Sequence, residues 1–88
     1  MLNNLIKELE SLSNPEKAQI HQRFFKTGKG EYGEGDVFIG VIVPELRRIV
    51  KKFRELKLVD VQKLIDSKIH EHRMVGLLML ILRGQLLI

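Results

Sequence analysis

Eighty-eight residues allow one small domain, 1–88, with no room for a second, and such a chain buries only about two-thirds of the surface it exposes when unfolded. Cysteine is absent, which excludes disulfides and thiolate metal sites as supplements to the core. The net charge of +4 is modest, so its placement matters more than its size: residues 44–57 carry Arg47, Arg48, Lys51, Lys52, Arg54 and Lys57 against Glu45 and Glu55, an excess equal to that of the whole chain.

The opening MLNNLIKELE has acidic residues and a helical pattern where a secretory leader would have a basic start and an unbroken apolar run, so a cytoplasmic protein is expected. Leu2, Leu5, Ile6, Leu9 and Leu12 recur at intervals of three and four, which predicts a first helix from about Leu2 to Leu12. Asn14 is placed to cap a second helix, with Pro15 in its first turn, where a missing amide costs nothing. That helix is expected to run to about Lys26.

Gly28, Gly30 and Gly33 fall at the spacing G-x-G-x-x-G. A phosphate-binding loop of that pattern follows a strand and opens a helix whose amides face the anion. Here a helix precedes it, and Glu31, Glu34 and Asp36 would repel a phosphate, so the stretch from Gly28 to Gly40 reads as a connector. The three acids are expected to form turns and to pair with arginines of the third helix. The run Val37, Phe38, Ile39, Val41, Ile42 and Val43 resembles a strand but has no second strand to pair with. Phe24 and Phe25 are expected to pack against the first and third helices, and Tyr32 to stand exposed in the loop.

Pro44 opens a third helix, with Leu46, Ile49, Val50 and Phe53 on its apolar face and Arg47, Lys51 and Arg54 on the opposite one. A solvated face explains those cations as well as contact with phosphates does. Val61, Leu64 and Ile65 predict a fourth helix from about Leu58 to Asp66, and a fifth runs from Ile69 to about Leu82, apolar nearly all round. The stretch from Met74 to Ile88 is interrupted by Gly76, Arg83, Gly84 and Gln85 and falls short of the roughly 20 residues a bilayer span needs, so no membrane partner is expected. Its apolar surface instead suggests a homo-oligomer, formed by pairing the fifth helix with another copy. His70 and His72 bracket Glu71, but positions two apart on a helix diverge by about 200°, which excludes a helical zinc motif there. These residues serve the first turn of the fifth helix, where Glu71 suits the dipole and His70 can bond a loop.

Arg23-Phe24-Phe25-Lys26-Thr27-Gly28, then Glu31-Tyr32-Gly33-Glu34-Gly35-Asp36-x-Phe38-x-Gly40-x-x-Val43-Pro44-x-Leu46-Arg47, and later Ser67-x-Ile69-His70-Glu71-x-Arg73, resemble in order and spacing the N-terminal part of the DNA alkylation repair family, the HEAT-like-repeat alkylpurine DNA glycosylases. The resemblance implies an all-α fold, about five helices in an antiparallel HEAT-like α-solenoid array whose basic concave surface grips duplex DNA. It also implies release of N3- and N7-alkylated purines with no metal and no organic cofactor. The family's catalytic aspartate and paired tryptophans lie in repeats beyond the part matched here, and this chain has no tryptophan. No catalytic residue is therefore assigned, and a truncated piece, about the first third of a family domain and inactive by itself, is expected. Its DNA-binding candidates are Arg47, Arg48, Lys51, Lys52, Arg54 and Tyr32.

Overall fold

A computed structural model describes residues 1–30 and 33–86. It contains five helices: α1 (Leu2–Ser11), α2 (Pro15–Phe24), α3 (Val43–Lys52), α4 (Leu58–Ile65) and α5 (His70–Leu82). No strand occurs among the described residues, and the fold is all-α. α5 packs against both α4 and α3, and α1 lies against α3. Leu5 and Leu9 of α1, Leu46, Ile49 and Val50 of α3, Val61 and Leu64 of α4, and Val75 and Met79 of α5 meet in one core. Each such side chain contributes about 1.5–3 kcal/mol by leaving water.

The Asn14 side chain accepts from the Lys17 amide at 3.1 Å and caps α2, with Pro15 in the first turn as its position predicts. α2 stops at Phe24, two residues before the expected end. Lys26 turns left-handed at φ 52, and the Thr27 amide folds back to the Gln22 carbonyl at 3.1 Å, which closes the helix. Only Ala18 of α2 is buried, so that helix is secured mainly at its two ends.

The connector that follows is neither a strand nor a phosphate loop. Gly33 sits against the end of α2, its amide donating to the Lys26 carbonyl at 2.7 Å, and a Cβ there would lie 2.5 Å from the Phe25 carbonyl oxygen. Further on, Val37 makes one isolated parallel bridge with Ile69, and the His70 amide donates to the Val37 carbonyl at 2.7 Å. Gly40 has φ +83, and a Cβ on it would come within 2.1 Å of the Asn14 carbonyl oxygen. The Asn14 amide in turn donates to the Ile39 carbonyl at 2.8 Å, so the connector is pressed onto the junction between α1 and α2 before it enters α3.

Candidate nucleic-acid interface

Leu46, Ile49 and Val50 turn inward, and the 3.6-residue repeat then leaves Arg47, Arg48, Lys51 and Lys52 on the exposed side of α3, with Arg54 just beyond its end. These cations differ in their commitments. Arg48 pairs with Glu45 at 2.8 Å, and Lys52 reaches Glu8 of α1. Arg47, Lys51 and Arg54 form no ion pair among the described residues. Arg47 and Lys51 edge a hollow of about 210 Å³ whose floor is Val50, Leu78, Ile81 and Leu82. Arg54 lines another of about 310 Å³ with Glu55, Leu82 and Arg83. Tyr32 and Glu31 lie outside the described residues.

The segment that delivers the chain to α3 is held by a buried anion. Glu71 is 1% exposed; its Oε1 accepts from the Ile39 amide at 3.0 Å, and its Oε2 accepts from the Gly40 and Val41 amides at 3.0 and 3.3 Å. Glu71 does lie in the first turn of α5, but its chief partners are these three amides. Three charge-assisted bonds offset the cost of removing a carboxylate from water. The sequence offered no signal for this, because the partners are backbone groups that any residue other than proline supplies.

Asp36 corrects a second expectation. It pairs with Arg73 of α5 at 2.6 Å, not with an arginine of α3, and lies 3.5 Å from His70 Nδ1. Arg73 also donates to the Ser67 carbonyl at 3.1 Å, so it ties both ends of this junction. Glu34 is exposed and forms no ion pair among the described residues. Phe24 and Phe25 do not fill the space between α1 and α3: Phe24 is 75% exposed, and Phe25 stacks on Phe38 with ring centroids 5.1 Å apart. Phe38, which is buried, stacks on His70 at 4.3 Å.

The two histidines of α5 point to different partners, as positions two apart should. His72 Nδ1 lies 3.0 Å from Ser67 Oγ, while its buried Nε2 has no hydrogen-bond partner among the described residues. Burial lowers its pKa below 6.5, against the opposing pull of Glu10 and Glu71. No group of three or more histidine, aspartate and glutamate side chains among the described residues gathers as a metal site. No helix among them is long and apolar enough to cross a membrane.

The described residues thus form a small all-α domain in which a buried carboxylate fixes the entry to a helix with an exposed cationic face. A family model described as DNA alkylation repair enzyme matches residues 5–85, and the chain belongs to that family. Its role is therefore related to DNA repair. No curated protein and no solved structure matches the chain.

Proposed function

We propose that the chain forms the opening helical pairs of a HEAT-like array and binds duplex DNA through α3, with Arg47, Lys51 and Arg54 on phosphates and Arg48 and Lys52 beside them. The observation that carries this reading is the lack of ion-pair partners for Arg47, Lys51 and Arg54 among the described residues, so a phosphate meets them without breaking a bridge. Membership of a DNA repair family supports a nucleic acid as the polyanion. Neutralising three phosphates gives a slope of about −2.7 in log affinity against log salt, or about 40-fold weaker binding at 200 mM than at 50 mM. Fluorescence anisotropy of a labelled duplex across that range tests the proposal; an affinity indifferent to salt, or no binding at low salt, refutes it.

On the same reading the chain does not release bases by itself. Its buried carboxylate, Glu71, is committed to three amides, and Asp36 is committed to Arg73, so neither is poised to stabilise positive charge on a sugar. Release of methylated bases from alkylated DNA by the isolated chain would overturn this.

Self-assembly is a second reading, supported by Leu77 and Leu82 of α5 and by Leu58 and Val59 of α4, all of which remain exposed. Sedimentation equilibrium at high concentration tests it, and a clean monomer removes it.

A further inference from the structure

Between α3 and α5 runs a trough with an apolar floor and a cationic edge. Its first part, the hollow of about 210 Å³, has Val50, Leu78, Ile81 and Leu82 beneath Arg47 and Lys51, and no acid among the described residues lines it. Leu82 also belongs to the second part, of about 310 Å³, where Arg54 and Arg83 stand with Glu55. Arg83 is engaged, donating to the Leu56 carbonyl at 2.6 Å.

We propose that this trough binds an acidic amphipathic helix of a partner protein, with its apolar face on Leu78, Ile81 and Leu82 and its carboxylates along Arg47, Lys51 and Arg54. The proposal goes beyond DNA binding and does not rest on it. The floor supplies the first argument. Leu82 is 48% exposed, and Leu78 and Ile81 are only partly covered. Positions 78, 81 and 82 repeat at three and four, so they form a ridge on which a helix with apolar residues at i, i+3, i+4 and i+7 can pack. The size supplies the second. The first hollow lies below the roughly 300 Å³ at which small-molecule sites begin, and suits side chains projecting from a helix better than a whole ligand.

The edge decides the sign of the partner. Arg47 and Lys51 stand about one turn, roughly 6 Å, apart along α3, the spacing of carboxylates at i and i+4 on a facing helix. Neither they nor Arg54 form an ion pair among the described residues. An anion without an apolar face uses this edge and leaves the floor in water. A second copy is the poorer occupant, because a two-fold pair across the trough sets Arg47 and Lys51 against their own counterparts.

The test is an anisotropy titration of the full chain into a labelled peptide of leucine, glutamate and alanine, blocked at both ends and about five helical turns long. Its leucines form one helical face, flanked by glutamates; an isomer with the leucines spread around the helix is the control. The patterned peptide should bind at least about tenfold more tightly than the isomer, the effect of burying one leucine face on the floor. Leu82→Asn, at a half-exposed position, should remove most of that preference without altering the melting temperature. Arg47→Ala/Lys51→Ala should weaken both peptides. Equal affinities for the two peptides, a preference unaltered by Leu82→Asn, or binding indifferent to Arg47→Ala/Lys51→Ala would each overturn the proposal. So would a dimer of the chain that Leu82→Asn dissolves, because a second copy would then fill the trough. No DNA enters the titration, so failure of the DNA reading leaves its result intact.

Discussion

The Gly40 amide donates to Glu71 Oε2 at 3.0 Å across 31 positions of sequence, and through this bond and its two neighbours the start of α5 fixes the entry to α3. Removing the carboxylate leaves three amides in a largely buried place without an acceptor. Glu71→Ala should therefore cost about 3–5 kcal/mol, a large share of the roughly 5–15 kcal/mol that holds a small domain together. Glu71→Gln retains one acceptor oxygen and should cost less. Urea unfolding followed by circular dichroism gives both values, and an alanine variant within about 1 kcal/mol of the parent would show that the clamp is dispensable.

Gly40 faces two demands, a φ of +83 and the Asn14 carbonyl oxygen, 2.1 Å from where a Cβ would stand. Gly35 faces only the first, with φ +85 and nothing within 4 Å. The left-handed conformation alone costs an alanine about 1–2 kcal/mol. Gly35→Ala should lose about that much, and Gly40→Ala clearly more, because backbone has to move to admit the methyl. Equal losses in thermal unfolding would mean that the connector is not pressed against Asn14.

How much of this was legible depends on the range of the interaction. The five helices follow from Leu2, Leu5 and Leu9, from Leu46, Ile49 and Val50, and from their counterparts, because local spacing alone decides which face is apolar. The cap at Asn14 was equally local, since its acceptor and the Lys17 amide are three residues apart. The bonds of Glu71 span 30 to 32 residues and end on backbone, and no residue type announces them. Proximity in sequence favours the arginines of α3 as partners of Asp36, but the bridge between Val37 and Ile69 brings it to Arg73 instead. The cations of α3 and Arg54 beyond it are visible in the sequence, whereas the division between engaged Arg48 and Lys52 and Arg47, Lys51 and Arg54, which are unpaired among the described residues, needs the positions of Glu45 and Glu8.

His72 gives stability a dependence on pH. Burial lowers its folded pKa below 6.5, so in the interval between the folded and unfolded values the unfolded chain binds a proton that the folded chain refuses. Stability should be full above the unfolded pKa and decline as pH falls through about 6.5, until the folded state is protonated as well. His72→Gln removes the titration and should flatten that part of the curve relative to the parent. Urea midpoints measured from pH 8 to pH 5 decide it, and parallel curves for the two proteins would remove His72 as the source.

The division among the cations of α3 makes the DNA reading more demanding than a basic patch alone would. A phosphate approaching Arg48 or Lys52 competes with Glu45 or Glu8, whereas one approaching Arg47 or Lys51 displaces no ion pair among the described residues. The Arg47→Ala/Lys51→Ala double variant should thus reduce the salt slope of duplex binding by about two, one for each lost phosphate contact. Arg48→Ala/Lys52→Ala should reduce it by less, because exposed pairs of this kind are worth only about 0–1 kcal/mol yet still occupy the cation part of the time. Both substitutions remove the same formal charge, so net charge cannot account for a difference between them. Anisotropy titrations of the two variants over the same salt series supply the comparison. If their slopes fall equally, the duplex responds to the overall charge of α3, and the individual assignment of Arg47 and Lys51 to phosphates is wrong.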